Sequence, residues 1–537
     1  MKRPARPLSD RVRAMHTYVT NAKTSLWRTE EYQGETIGAQ AYLGGVVGSD
    51  RDAMKNSDYG AMWMLARLTS DPALVNDRLP HARNFKLMQQ QADPGFFQGA
   101  ALGQYYLSKG KRFVEEWGAY VEPVALTYYV LSDLGNILLF EPGNQQVRQR
   151  LRLGADRLLA WQHADGHWEV GYDHATHKPM FTDLADRRPT FYGLLIAHRC
   201  LGDEKYLAAA RRGADWLIEN AVEPLKFTGV CGDVRFAPDF ATGQIAQALL
   251  DLHDATGDLR YREAGVAAAR FYTTSVFTHP LATELKKSAG GATRADWEIN
   301  QTGLSFEHGG TLGSVNSGGP ILLASHAGLF IRVQQLTGDS LFGDLARAGV
   351  LARDAFVDPT TSVASYYWKW MNRGPGEFPH HAWWQIGWIT DYLISEASLR
   401  SAGKIEFPRG FFTPKVGPHA AFGFAPGTIF DEVATLAWGD AQVEQPEIDS
   451  LLAKSPSNSS TENGQFFVVL MNSSAHEVAT DVAPDAAKLT GGAAKQWSRV
   501  GLLSAAGDHT ELSADDRSWR VTLPPYGLAV LALRADQ

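Results

Sequence analysis

The chain has little that would cross-link it or draw it to a charged or lipid surface. Its 537 residues include two cysteines, Cys200 and Cys231, so no disulfide framework organises the fold, and both are read as ordinary thiols. No run of lysine or arginine stands out against a formal net charge of −8, which argues against nucleic acid or an anionic membrane as the main partner. No apolar stretch approaches the roughly 20 residues of a membrane span. The basic opening Met1-Lys2-Arg3-Pro4 lacks the apolar segment of a signal peptide. The expected location is therefore the cytoplasm, or outside the cell if a signal has been removed. HExxH and CxxC spacings are also missing. His380, His381 and Glu377 are the one set weighed as metal ligands, and adjacent histidines on a helix point in different directions, so neither metal nor cofactor is expected.

What the chain does have is a recurrence. Six times a short polar or acidic segment runs into an apolar helical stretch: Asn56-Ser57-Asp58-Tyr59, Tyr120-Val121-Glu122-Pro123, Ala185-Asp186-Arg187-Arg188-Pro189, Phe236-Ala237-Pro238-Asp239, Asn316-Ser317-Gly318-Gly319-Pro320 and Phe378-Pro379-His380-His381. Most carry groups that cap exposed helix amides, and five include a proline suited to a first turn. A second element, Leu201-Gly202-Asp203, Thr256-Gly257-Asp258 and Thr337-Gly338-Asp339, is each time followed by Tyr206, Tyr261 or Phe342. Glycine there caps one helix, aspartate starts the next, and the aromatic packs across the joint. Counted from Ser57, Glu122, Arg187, Phe240, Gly318 and His380, successive starts lie 53 to 78 residues apart, the length of two helices and a loop.

The fold expected is mainly α, an (α/α)6 toroid of helical hairpins followed by a C-terminal antiparallel β-sandwich. Residues 1–45 are read as an N-terminal extension, 46–400 as the catalytic barrel and 405–537 as the sandwich, where short β-rich runs such as 465–471 and 528–533 replace the helical period. In such a ring the amino ends of six inner helices meet at one mouth.

These hairpin elements, with Gln162-His163-Ala164-Asp165-Gly166-His167-Trp168 and the terminal Leu523-Pro524-Pro525-Tyr526-Gly527 strand, resemble the six-hairpin glycosidases and toroid polysaccharide lyases. Within them the chain is most similar to β-glucuronidases of glycoside hydrolase family 154, over roughly residues 50–535. The resemblance implies carbohydrate bound at the barrel mouth and a uronic acid in the substrate.

Glycoside hydrolysis by the usual route needs one protonated and one ionised carboxyl. Asp186 and Glu122 are the first choices, each just before a core-facing helix, with Asp239 and His308 as further catalytic candidates. Arg187 and Arg188 would keep Asp186 ionised, while Trp117, Tyr120 and Tyr128 would raise the pKa of Glu122. Substrate contacts are assigned to Asp58, Arg187, Arg235, Arg294, Glu307, Asn316, Tyr367, Arg373, His381 and Trp384, cations for a uronate and aromatic faces for sugar C–H surfaces. Each carboxylate could equally be a plain N-cap. The function expected is removal of a terminal glucuronic acid, or related uronyl unit, from an oligosaccharide. A lyase using Tyr366, Tyr367, His308, Asn316 and Arg373, or a carbohydrate-binding protein without catalysis, remains open, as does a homo-oligomer.

Overall fold

The structure, a computed structural model, describes residues 6–42, 52–56, 58–115, 120–121, 123–183, 185–227, 240–279, 283, 285–289, 292–295, 302–305, 324–352, 368–369, 374–375, 382–414, 417–455, 465–492 and 496–535. Among the described residues twelve α-helices build its first part: α1 (Leu8–Thr20), α2 (Tyr59–Thr69), α3 (Leu79–Met88), α4 (Pro123–Phe140), α5 (Gln145–Trp161), α6 (Phe191–Leu201), α7 (Glu204–Leu217), α8 (Phe240–Thr256), α9 (Leu259–Tyr272), α10 (Ala327–Thr337), α11 (Ser340–Ala352) and α12 (Ala382–Arg400).

The even-numbered helices form a closed inner ring. Helix α2 packs on α4, α4 on α6, α10 on α12, and α12 back on α2. Two buried polar bridges complete the circle: the Tyr192 hydroxyl of α6 donates to Asp251 of α8 at 2.6 Å, and Arg332 of α10 donates to the same carboxylate at 2.7 Å. The odd-numbered helices stand outside their neighbours, and α1 takes the sixth outer place by packing on α12. This is the (α/α)6 toroid.

The glycine-aspartate joints show why the chain turns where it does. Gly202, Gly257 and Gly338 end α6, α8 and α10 at φ of 73°, 70° and 75°, a left-handed conformation that glycine adopts without a side-chain penalty. Asp203, Asp258 and Asp339 then accept from the amides of Lys205, Arg260 and Leu341. Tyr206, Tyr261 and Phe342 are buried across the joints. Because these turns sit at the carboxyl ends of inner helices, the amino ends gather at the opposite face. The fifth inner helix is described over Ala327–Thr337; the start expected beside Gly318 falls in residues 306–323, outside the described ones.

A five-stranded antiparallel sheet (27–32, 35–41, 53–55, 105–107 and 112–114) packs on α3, an element with no counterpart among the sequence expectations. The C-terminal part is an eight-stranded antiparallel sheet faced by the two strands 478–482 and 519–523. Its central strand Gln465–Asn472 shows how one sheet serves two cores: Phe466, Val468 and Leu470 pack inside the sandwich, while Phe467, Val469 and Met471 pack on the helical ring. Period-two alternation of apolar residues on both faces gives this unbroken hydrophobic run.

Residues 407–414 and 417–422, read from sequence as sandwich, instead enter the ring. They form a hairpin closed by the Phe412–Ala420 bridge, and they run up the lumen from the carboxyl ends toward the amino ends of the inner helices. The side-chain amide of Asn136 on α4 accepts from the Phe411 backbone N–H at 3.0 Å and donates to the Phe411 carbonyl at 3.1 Å. Phe412 stacks on Tyr192 of α6 with ring centres 4.1 Å apart. Near the tip His419 meets Asp58 of α2, and Gly387 of α12 leaves room for both, since a Cβ there would lie 2.6 Å from the Asp58 carboxylate.

Helix α1 is fastened to the sandwich by Asp449, which accepts from the Leu8 amide at 2.6 Å. Burial lifts the Asp449 carboxyl to about 7, against the opposing pull of that amide and of Arg400. A folded-state pKa above the unfolded one means that the native state keeps a proton the unfolded chain has released. Stability is then greatest below the unfolded value of 3.8 and is lost as pH rises toward about 7. Asp449→Asn is expected to flatten the decline in melting temperature between about pH 5 and pH 7; an unchanged pH profile would assign that decline to other groups.

Candidate functional site

At the amino ends of the inner helices the described residues form a floor of buried polar pairs. Asp58 caps α2 by accepting from the Ala61 amide at 2.9 Å, and its second oxygen lies 2.6 Å from Nε2 of His419. Both side chains are 1% exposed. Tyr128 of α4 donates across the lumen to Gln244 of α8 at 3.2 Å. Asp186, before α6, accepts from the Arg188 amide at 3.1 Å and from its guanidinium at 2.8 and 3.2 Å. Two parallel bonds from a guanidinium fix the direction of a carboxylate.

A second carboxyl behaves differently. Asp133 of α4 sits 2.6 Å from the Lys86 ammonium, yet burial outweighs that cation and raises the carboxyl to about 6. With Asn56, Gln104 and Tyr129 it lines a cavity of about 40 Å³, room for one or two waters. Deeper in the lumen, burial raises Asp391 to about 6 as well, opposed first by Arg409. His326, whose Nδ1 lies 3.4 Å from the Tyr272 hydroxyl, is lowered to about 4 by burial.

Several buried polar atoms on this floor find no protein partner among the described residues: Thr242 Oγ1, Gln244 Nε2, Ser325 Oγ and His419 Nδ1. Buried groups of this kind are rare and call for water or ligand. They belong to the first turn of α8, the start of α10 and the hairpin tip, all at the same end of the ring.

Asp58, Asp186 and Trp384 are brought to this end, all three buried. Arg188 pairs with Asp186, whereas Arg187 turns outward and donates to the Asn220 carbonyl of the outer layer at 3.0 Å. Arg294 lies on the strand Ala292–Ala295, with only its backbone described. Glu122, Arg235, Asp239, Glu307, His308, Asn316, Tyr367, Arg373 and His381, together with His380 and Glu377, lie outside the described residues. Sequence reasoning missed His419, Asp133, Lys86 and Gln244. The first is placed by a hairpin 361 residues from its partner, and the others look like ordinary helix positions.

One further histidine cluster lies on the outside, where His163, His167 and Glu169 approach one another. The two imidazoles are stacked face to face, 4.1 Å apart and 6° from parallel, so their in-plane lone pairs run side by side instead of converging on an ion.

No protein-family model matches the chain, and no curated protein matches it. Among solved structures, cellobiose 2-epimerase from Bacillus thermoamylovorans B4167 aligns over 72% of this chain and 99% of its own at 12% identity, with a TM-score of 0.45. D-mannose isomerase covers 72% and 97% at 10% identity and a TM-score of 0.43. An unsaturated glucuronyl hydrolase specific for heparin covers 72% and 96% at 11% identity and a TM-score of 0.41. At such identities the likeness extends to the course of the backbone and no further.

Proposed function

We propose that this chain is a carbohydrate-processing enzyme whose substrate binds at the amino ends of the inner helices, and that it is a glycoside hydrolase removing a terminal glucuronic acid or related uronyl unit. The observation that carries the reading is the floor itself. Unpartnered hydroxyl, amide and imidazole groups lie at one end of the ring beside two carboxyls in different settings, Asp186 forked to a guanidinium and Asp133 raised to about 6 by burial. Polyhydroxylated substrates satisfy such donors and acceptors, and hydrolysis needs both an ionised and a protonatable carboxyl. Asp186 supplies a carboxyl held in one direction by Arg188, with Glu122 and Asp239 as the carboxyls at the neighbouring helix starts and His308 as a further acid or base. The uronyl preference and the likeness to family 154 β-glucuronidases rest on the sequence resemblance.

Incubation with a chromogenic β-glucuronide, the matching β-glucoside and a uronate oligosaccharide tests this directly. The expected result is release of the chromophore from the glucuronide at least about tenfold faster, in kcat/KM, than from the glucoside, with a new reducing end and no unsaturated product absorbing in the ultraviolet. An ultraviolet band would replace hydrolysis with elimination. Intact substrates throughout would remove catalysis from the reading.

A further inference from the structure

The opposite end of the ring holds a cavity of about 770 Å³, within the range of small-molecule sites. Its walls are the carboxyl ends of α6 and α8, the root of the hairpin at Glu406–Arg409, and the turn at Pro426–Thr428. The charges on these walls are unevenly matched. Asp251 accepts from the Tyr192 hydroxyl, the Gln247 amide and Arg332, and Asp254 accepts from Arg332 at 2.7 Å. Both carboxylates are therefore satisfied by groups of the ring.

The two arginines on the wall are not. Among the described residues the Arg409 guanidinium makes no hydrogen bond or ion pair. Arg199 gives one bond, at 3.2 Å, to the Arg409 carbonyl and lies over the Phe411 ring at 4.4 Å. Burial, then the nearby Arg332, pulls the Arg409 pKa below the usual arginine value, against the opposing pull of Asp391, Asp251 and Asp254. A half-buried guanidinium with open donors that faces a cavity suits a planar or tetrahedral oxyanion. Glu406, on the rim and exposed, can accept from hydroxyls, and Phe407 and Val433 offer an apolar surface to a sugar ring.

We propose that this cavity binds a small anionic polyol, a sugar bearing a carboxylate or phosphate group, with Arg409 and Arg199 gripping the anion. It is a second site, separate from the mouth, because Phe411 and Phe412, both 0% exposed, fill the lumen between them. The inference stands on the cavity and its charges and does not need the proposed activity to hold.

Calorimetry on the full chain tests it with glucuronate, glucose 6-phosphate and glucose as probes. One or both anions are expected to bind saturably and glucose not at all; which anion binds decides between carboxylate and phosphate. Arg409→Met is expected to weaken binding about tenfold, Arg199→Gln about threefold, and Glu406→Gln to tighten it about threefold. The last two change exposed side chains, so they serve if Arg409→Met fails to fold. Glycosidase turnover, where present, is expected to be unchanged in Arg199→Gln. No binding of either anion, equal binding of glucose, or affinities unmoved in all three variants would overturn the proposal. Loss of turnover in Arg199→Gln would join the cavity to the mouth and overturn its separateness.

Discussion

Asp186→Asn is expected to reduce turnover by at least about a thousandfold and, in addition, to destabilise the fold by about 3–5 kcal/mol. The sequence alone suggests an intact fold for this variant. The structure changes that expectation, because Asp186 and Arg188 are each 1% exposed and are paired through a forked contact. Asparagine keeps the shape but removes the charge from a buried, forked ion pair. The double variant Asp186→Asn, Arg188→Met separates the two effects. It is expected to regain much of the stability, read from a urea midpoint, while turnover stays lost. Recovery of turnover together with stability would make Asp186 a structural ion-pair member and leave the catalytic carboxyls to Glu122 and Asp239.

The parts of this molecule that were legible in the sequence are those whose physics is local. A glycine that must take positive φ, an aspartate that must cap and an aromatic three residues later are all encoded within six residues, so the joints at Gly202, Gly257 and Gly338 could be read and the ring counted. Strand 465–472 was legible for the same reason, its apolar run being the whole signal. The hairpin in the lumen was not. Phe411 and Phe412 look like any β-rich stretch, and only the position of Asn136 and Tyr192 on helices far away in the chain draws them into the ring. The sheet built from residues 27–114 was lost likewise, since its strands pair across the first helical hairpin.

The site divides along the same line. Asp58 was visible as a cap, which it is, but the sequence could not show that its second oxygen would hold His419. Asp133 carries no motif at all; its raised pKa arises from burial among α2, α3 and α4, a property of packing. Arg187 illustrates the converse error of adjacency. It neighbours Asp186 in sequence, but the turn before α6 sends Arg188 inward and Arg187 to the outer layer.

The seam between ring and sandwich yields the last large effect. Glu396 of α12 is 1% exposed and accepts from Arg347 at 2.8 and 3.2 Å and from Arg400 at 2.6 Å. Arg400 in turn donates to the Asn472 carbonyl of the central sandwich strand at 2.7 Å. The two guanidinia overcome the cost of burial and hold the Glu396 carboxyl below its usual value. Its stabilising contribution is therefore present above the unfolded value of 4.5 and is lost as pH falls through the lower folded one. Glu396→Gln is expected to cost about 3–5 kcal/mol, because two buried cations lose their shared anion. It is also expected to loosen the sandwich from the ring, since Arg400 is no longer aimed at Asn472. Hydrogen exchange is expected to show amides of strand 465–472 opening at lower free energy than those of α4 in the variant, and the two opening together in the parent chain. Equal protection of the two elements in the variant would mean that the apolar seam of Phe467, Val469 and Met471 joins the halves without this triad.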